Sequence, residues 1–243
     1  MKKIAYLLFL LQLLVSCQTQ NMIMKKTGNV KTDSTFRYDP MYQYHIRKDD
    51  KIEISVWGQD ELSVGSVFGI YNSNEVYGKW LQVDASGNIE VPKIGTFNVL
   101  NKTIPEVRNT LKLIFATWIV NPIVDVKVLN KEISLLGELK NPGAIKVDKD
   151  QNNLLEMISK AGGTEFYANL KKIKVLRQEG TDVRVTTIDL TRSSDYFNTN
   201  IVLHPGDIVI VPSKSYKEFD KRISIIIPFA TTITAVSIIM GLF

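Results

Sequence analysis

Hydrophobic and polar positions divide this chain into two apolar ends and a patterned middle. One apolar run, residues 4–15, follows Lys2 and Lys3, and a second run of uncharged residues occupies 223–243. Between them, apolar positions alternate with polar ones in several short segments, and elsewhere they recur three or four residues apart. Alternation indicates half-buried strands and the longer period indicates amphipathic helices, so the middle is predicted to be an α+β body.

Residues 43–130 are predicted to form a small mixed-sheet domain with one helix. Ile52, Ile54 and Val56 share one face of a strand, as expected for a sheet with one buried side. Residues 81–91 alternate on both sides of a glycine-bearing turn, which predicts a hairpin.

The helix of this first domain is predicted to begin near Thr103. Thr103 and Glu106 have the spacing of a capping box, and Pro105 falls in the first turn, where proline is tolerated. Apolar positions then follow at helical spacing: Ile104, Val107, Leu111, Ile114 and Phe115. The Asn-Pro pair at 121–122 breaks the helical pattern, and residues 123–128 predict another strand.

Residues 131–213 are predicted to form a second mixed-sheet domain, also with one helix. A strand is predicted at 133–136 and a turn at 137–143. The helix should start at Asn153, with a spacing like that of a capping box, and stop at the glycine pair 162–163. Three further strands complete the predicted sheet, at 172–177, 183–189 and 207–211.

Composition excludes several classes of protein. Of the 243 residues, 44% are hydrophobic and 23% charged, which excludes a disordered chain, a collagen or a coiled coil. Charge spread through most of the chain excludes a polytopic membrane protein. The formal net charge of +5 is too small to indicate nucleic acid binding. The single cysteine excludes an intramolecular disulfide and a cysteine-based zinc site.

The N-terminal end has the features of a secretory signal. Residues 1–16 combine two lysines with an apolar core that is too short to span a bilayer comfortably. Ser16 and then Cys17, directly after that core, resemble the bacterial lipobox, so we expect cleavage before Cys17 and lipid attachment to its thiol. A free or buried thiol is the alternative. Residues 17–42 are polar and are predicted to be the lipidated N-terminus and a linker.

The C-terminal end is predicted to be a transmembrane helix. Residues 223–243 would form a helix about 31 Å long, close to the hydrocarbon thickness of a bilayer. The segment 214–222 would form a basic collar before it, with Lys214, Lys217, Lys221 and Arg222. One side of the helix carries the candidate pore-facing hydroxyls: Ser224, Thr231, Thr232 and Thr234. A buried core helix is the alternative.

An ordered series of short motifs runs through the body. It comprises Gly87, Pro92 and Gly95, then Pro122, then Gly137, Pro142 and Gly143, then Gly162 and Gly163, and finally Pro205, Gly206 and Asp207. This series resembles that of the outer-membrane polysaccharide export family, in which a polysaccharide-export-sequence domain is followed by a soluble-ligand-binding β-grasp (SLBB) domain. The resemblance implies structural roles for these residues. One departure is Lys-Asp-Asp at 48–50, where the family usually has Pro-Gly-Asp in the turn of the first strand.

The resemblance implies an outer-membrane lipoprotein subunit that exports capsular or exopolysaccharide through a homo-oligomeric ring. In such exporters the C-terminal helices form a transmembrane α-helical barrel, and most of each chain is periplasmic. The implied partners are the polysaccharide, further copies of the chain and an inner-membrane polysaccharide co-polymerase. The alternative is a periplasmic outer-membrane lipoprotein that binds glycan or a partner protein through its β-grasp domain without forming a pore.

We expect no enzyme activity, no catalytic residues, no metal and no cofactor. The two histidines, His45 and His204, lack the HExxH spacing of a zinc protease, and the sequence contains neither a GxSxG nor a Walker A motif. The acid pairs at 49–50 and 60–61 are interpreted as solvated turn residues. Three tryptophans are expected in the core or at subunit interfaces more often than under sugar rings: Trp57, Trp80 and Trp118.

Overall fold

The structure is a computed structural model that describes residues 34–59, 62–63, 80–191, 201–224 and 241. Within these residues the protein is α+β, as the sequence predicted. Several predicted features lie outside the described residues: the signal peptide, Cys17, Thr231, Thr232 and Thr234.

The strands of the described part are, in chain order, β1 (Lys51–Val56), β2 (Leu81–Gln82), β3 (Asn88–Val91), β4 (Gly95–Asn98), β5 (Val124–Val128), β6 (Glu132–Gly137), β7 (Gly143–Lys146), β8 (Asn152–Asn153), β9 (Ile173–Glu179), β10 (Asp182–Ile188), β11 (Val202–Leu203) and β12 (Ile208–Val211). The helices are α1 (Ile104–Phe115) and α2 (Leu154–Lys160), preceded by a 3-10 turn at Ser34–Phe36. Residues 217–224 are also helical.

The first sheet is centred on β1, which pairs antiparallel with both β2 and β5. Ile52, Ile54 and Val56 are all buried, so the predicted face of β1 is confirmed. Every strand pair described before residue 130 is antiparallel, including β3 with β4. The mixed sheet predicted for this part of the chain is therefore wrong for the described strands.

The hairpin predicted over residues 81–91 forms only in part. The turn closes as expected, since the Asp84 N–H donates to the Asn88 carbonyl at 2.9 Å. The strands then diverge, because the Gly87 carbonyl accepts from the N–H groups of Val99 and Leu100 and so draws β4 beside β3. A Cβ on Gly87 would lie 2.3 Å from the Leu100 Cβ, so this crossing requires a glycine.

Helix α1 has the predicted N-terminus. The Glu106 N–H donates to the Thr103 Oγ1 at 3.4 Å and the Thr103 N–H donates to the Glu106 Oε2 at 2.7 Å, which is the reciprocal capping box. The Thr103 Oγ1 also donates to the Glu106 Oε2 at 3.0 Å, and the bonds from the Thr103 N–H and hydroxyl hold the pKa of Glu106 below its usual value. The helix buries Val107, Leu111 and Phe115 in the same core as the first sheet.

The second sheet has five strands in the order β10-β9-β12-β6-β7. It is mixed, because β12 runs parallel to β6 while the other neighbours are antiparallel. The predicted mixed sheet is confirmed here. Helix α2 buries Leu154, Met157 and Ile158 in the core of this sheet.

Helix α2 begins at the predicted residue but without a full capping box. The Asn153 Oδ1 accepts the Leu155 N–H at 2.8 Å, as an N-cap should. Glu156 does not return a bond to the cap. Its carboxylate instead pairs with Lys149 at 3.0 Å and with Lys160 at 3.4 Å, which lowers the pKa of Glu156.

The same helix ends at the predicted glycine pair. The Gly162 N–H donates to the Ser159 carbonyl at 2.9 Å, and the Gly163 N–H donates to the Ile158 carbonyl at 3.0 Å. These two bonds are those of a Schellman motif, which turns the chain away from the helix axis.

Two separate hydrophobic cores lie in the described residues. The first is built from residues between Tyr44 and Val128, and we call this part the first half. The second is built from residues between Ile133 and Val211, the second half, together with Phe36. Phe36 is 0% exposed, so the predicted linker 17–42 is packed against the second half at this residue. Residues 37–41 are exposed, so the burial does not extend along the segment.

The predicted transmembrane helix is described only at its start. Ser224 is exposed, and its Oγ donates to the Lys221 carbonyl at 2.8 Å. No helix within the described residues has both the length and the apolar character needed to cross a bilayer. Most of the run 223–243 lies outside those residues.

Candidate functional site at the junction of the two halves

The segment 34–47, which we call the strap, crosses from the second half to the first. Its Phe36 lies in the second core, and its Ile46 lies in the first. Between them the Asp39 N–H donates to the Gln151 Oε1 at 3.1 Å, and the Gln151 Nε2 donates back to the Asp39 carbonyl at 2.7 Å. The strap therefore joins the two halves through packing and through hydrogen bonds to the second half.

A buried ion pair anchors the strap. The Arg177 Nη2 lies 2.7 Å from the Asp207 Oδ2, and the Arg177 Nε lies 3.0 Å from the Asp207 Oδ1. The two side chains are 6% and 2% exposed. The remaining donors of Arg177 bond the carbonyls of Val202 and Thr35, and its guanidinium lies 4.7 Å from the ring centre of Phe36. One arginine thus holds β9, the turn before β12 and the strap together.

The predicted Pro205-Gly206-Asp207 motif is the turn at the centre of this junction. The Asp207 Oδ2 accepts the His204 N–H at 2.9 Å, and the Gly206 N–H donates to the Glu132 carbonyl at 2.7 Å. Gly206 has φ +94°, and a Cβ there would lie 2.6 Å from the Arg47 Nη1 of the strap. The positive φ of the turn favours glycine here, whereas the exposed Arg47 side chain could move away from an added Cβ.

The Lys-Asp-Asp sequence at 48–50 forms a turn of the same kind in the first half. The Asp50 Oδ2 accepts the Arg47 N–H at 2.8 Å, just as Asp207 accepts from the residue three positions before it. Asp49 takes the place of the glycine with φ +66°. Each turn leads directly into a strand, β1 or β12. The departure from the family sequence therefore keeps the geometry of the turn.

Buried polar contacts continue from this turn to the second half. The Tyr44 hydroxyl donates to both oxygens of Asp50, at 3.1 and 3.0 Å, and the Tyr44 N–H donates to the Asp150 Oδ2 at 3.1 Å. Asp150 also pairs with Lys131 at 2.9 Å. Burial raises the pKa of Tyr44, and the Asp50 charge raises it further, so the hydroxyl keeps its proton and remains the donor. Burial also raises the pKa of Asp50, while the bonds from Arg47 and Tyr44 oppose this rise.

His204 stacks on the strap. Its ring lies 3.6 Å from that of Tyr42 at an interplanar angle of 8°. Burial lowers the pKa of His204 to about 4, with further lowering by Arg177 and Arg47. The imidazole is therefore neutral at pH 7. Its Nε2 is buried and has no hydrogen-bond partner among the described residues.

Replacing His204 by phenylalanine should reduce the acid sensitivity of the protein. A folded-state pKa below the usual 6.5 means that the folded state binds fewer protons than the unfolded state between pH 6.5 and about 4. Stability is then lost as the pH falls through that window, by about 2–3 kcal/mol at about pH 4.5. Phenylalanine keeps a ring against Tyr42 but cannot be protonated. Denaturant unfolding at pH 7 and at about pH 4.5 measures how much free energy of unfolding each protein loses in acid.

The matched control is His45→Phe, which removes the other histidine, an exposed one. It should lose as much stability in acid as the original protein does. Asp39 and Asp150 also face His204, and they are unchanged in both variants. If His204→Phe lost as much stability in acid as the original protein, the acid sensitivity would not come from His204.

A pocket of about 480 Å³ opens where the strap faces the turn. Strap residues between 35 and 47 line one side, and residues 177–179 and 204–207 line the other. Guanidinium, carboxylate, amide and imidazole groups all border it. The pocket can therefore both donate and accept hydrogen bonds.

The other predicted motif residues lie away from the junction and occupy turns and strand ends: Gly87, Pro92, Gly95, Pro122, Gly137, Pro142, Gly143, Gly162 and Gly163. Those of the second half form one cluster, since the turn 137–143 packs against the end of α2. The Lys140 N–H donates to the Gly163 carbonyl at 3.1 Å, and the Asn141 N–H donates to the Ala161 carbonyl at 2.9 Å.

The predicted basic collar is only half exposed to solvent. Lys214 is buried, and its Nζ donates to the Phe166 carbonyl at 3.0 Å. Lys217 pairs with Glu138. Lys221 and Arg222 are exposed. The first two lysines therefore fix the segment to the second half and do not form part of a free basic surface.

Sequence reasoning missed Phe36, Tyr42, Arg47 and Arg177. One signal was present for Arg177, which continues the buried positions of β9 after Ile173 and Val175. A charged residue at a core position requires a buried partner. Its partner, Asp207, was already among the motif residues. Tyr42 and Arg47 had no such signal, because the neighbours that place them at the junction, His204 and Gly206, lie far along the chain.

Comparison with known proteins gives two adjacent matches. Residues 39–129 match the polysaccharide biosynthesis/export protein family, and residues 131–211 match the SLBB domain. The chain is 30% identical over 191 residues to the EPS I polysaccharide export outer membrane protein EpsA of Ralstonia solanacearum, covering 72% of this chain and 50% of the relative. It is 23% identical over 185 residues to the capsule polysaccharide export protein BexD of Haemophilus influenzae, covering 72% and 45%. The chain spans about half the length of these relatives.

Proposed function

This chain belongs to the polysaccharide biosynthesis/export family, and we propose on that premise that it is an outer-membrane translocon subunit that exports capsular or exopolysaccharide through a homo-oligomeric ring. The observation that carries the proposal is the order of the two family matches, 39–129 and then 131–211. Each match falls on one of the two hydrophobic cores. The polysaccharide is the proposed substrate, and an inner-membrane polysaccharide co-polymerase is the proposed partner.

The proposed path across the membrane is a ring of helices formed by residues 223–243. A hydrated polymer cannot pass through lipid beside a single helix, and a closed ring of helices satisfies every backbone group internally. Identical subunits can close such a ring through head-to-tail contacts. The contacts of Lys214 and Lys217 support this arrangement, because they fix the start of the helix to the second half.

Deleting residues 223–243 should abolish export while leaving the rest of the chain folded. Both cores and the Lys217–Glu138 pair lie before the deletion. Surface polysaccharide is measured on cells that carry only the variant, and thermal unfolding of the purified variant reports its fold. A matched control replaces 223–243 with an unrelated 21-residue apolar span, which keeps the anchor and removes the hydroxyl face. Export by either variant would mean that the channel lies elsewhere.

We also propose that Cys17 carries the lipid. Cys17→Ser should leave an uncleaved precursor that does not incorporate radioactive palmitate, because the hydroxyl cannot replace the thiol in lipid transfer. Gel mobility and metabolic labelling measure both effects, with Ser16→Ala as a control that keeps a small residue before the cysteine. Normal maturation and labelling of Cys17→Ser would refute lipid attachment at this residue.

The junction pocket supports one alternative, a lipoprotein that binds glycan or a partner protein without forming a pore. The two functions differ in assembly. Particle mass in mild detergent should be a multiple of the chain mass for a translocon. A monomer at all concentrations, together with unimpaired export in a strain that lacks the protein, would favour the binding function.

A further inference from the structure

The junction pocket combines many polar groups with a formal charge of zero. Its lining carries three guanidinium groups and three carboxylates: Arg37, Arg47, Arg177, Asp39, Glu179 and Asp207. Two of them, Arg177 and Asp207, neutralise each other in the buried pair. The pocket therefore has no excess of positive charge to select an anion, and its remaining groups suit a ligand that both donates and accepts hydrogen bonds.

Two side chains beside this pocket make no hydrogen bond of their own to the described residues. Arg47 is exposed, packs over the Tyr44 ring at 5.4 Å, and has no ion-pair partner at contact distance among the described residues. The His204 Nε2 is buried and also unpartnered in that part of the chain. Buried polar atoms in folded proteins are nearly always hydrogen-bonded, so the His204 Nε2 has an unused capacity for one bond.

We propose that this pocket binds a short uncharged stretch of glycan. Sugar hydroxyls donate and accept at once, so they can bond the Arg47 guanidinium, the Asp39 and Glu179 carboxylates and, after a small ring movement, the His204 Nε2. The volume of about 480 Å³ lies in the range of small-molecule sites, roughly 300–1,000 Å³. The choice of glycan as the ligand class rests on the proposed export function.

The position of the pocket gives binding a structural consequence. Its walls come from the strap and from the turn that carries the Arg177–Asp207 pair. A bound glycan would bridge these two walls and so hold the two halves in one relative orientation. Binding should therefore raise the melting temperature of the chain as well as occupy the pocket.

The test is saturation-transfer NMR on the full chain in mild detergent. The probes are three neutral trisaccharides, maltotriose, cellotriose and mannotriose, with glucuronate and glycerol 3-phosphate as anions whose carbon-bound protons report transfer. We expect transfer to at least one trisaccharide and none to glycerol 3-phosphate. Arg47→Ala and His204→Phe should each weaken that binding roughly fivefold, the loss of about one hydrogen bond. Trp118→Ala, which removes an exposed aromatic ring of the first half, should leave it unchanged.

Three outcomes would overturn the proposal. They are the absence of transfer to all three trisaccharides, binding of the anions only, and binding that survives both pocket variants but is lost in Trp118→Ala. The export function is tested separately by deleting the gene. Pocket binding with normal export in the deletion strain would contradict the export function alone, and lost export without any pocket binding would contradict this inference alone.

Discussion

Replacing Arg177 by methionine should lower the free energy of unfolding by about 3–5 kcal/mol. Methionine fills much of the same space but leaves the Asp207 carboxylate, 2% exposed, without its cation. The variant also loses the bonds from Arg177 to the carbonyls of Val202 and Thr35. Denaturant unfolding of the full chain in mild detergent measures the change.

The control for this experiment is Arg184→Met. Arg184 lies 3.5 Å from Glu179, but the two side chains are 56% and 43% exposed. Water screens such a pair, so its loss should cost about 0–1 kcal/mol. A similar small loss in Arg177→Met would mean that the Arg177–Asp207 pair does not hold the junction together.

Replacing Phe36 by alanine should cost about 3–5 kcal/mol, although the residue precedes the whole first half in sequence. Phe36 is 0% exposed in the second core, and the guanidinium of Arg177 covers its ring. Removing the ring opens a cavity in that core and releases the strap. Unfolding free energy and proteolysis of the strap report the two effects.

Phe219→Ala provides the matched comparison, because Phe219 is 63% exposed and should tolerate truncation within about 0.5 kcal/mol. Equal losses in the two variants would contradict the placement of Phe36. A stable Phe36→Ala variant with a strap that resists protease would do so as well.

The sequence predicted most elements whose signal is local. Helix α1 starts after its cap Thr103 because the cap and the apolar face lie within one continuous stretch, residues 103–115. Strand β1 was predicted for the same reason, since Ile52, Ile54 and Val56 alternate on a half-buried surface. Both glycines that end α2 act through hydrogen bonds to the preceding turn. Such features depend on neighbours only, so a single sequence contains them.

Pairing between strands was predicted less well. The hairpin over 81–91 was expected from its turn, but β2 joins β1 and β3 joins β4. Gly87 favours the pairing of β3 with β4, because its carbonyl accepts hydrogen bonds from the N–H groups of residues 99 and 100. A strand that is distant in sequence can compete with the adjacent strand for pairing. Alternation of apolar residues predicts a strand and its buried face, but it does not predict which strand will pair with it.

The sequence alone therefore determined the α+β class, the starts of α1 and α2, the end of α2, the family motifs and the two apolar ends of the chain. Helix α1 ends at Phe115, six residues before the predicted break at 121–122. Only the tertiary structure showed that the motif residues Gly206 and Asp207 lie at the junction of the two halves. It also placed Phe36, from the predicted linker, in the second core and showed that Lys214, from the predicted collar, is buried. The physical reason is that caps and turns are satisfied within a few residues. Burial and ion pairing depend on which distant side chains the fold brings together.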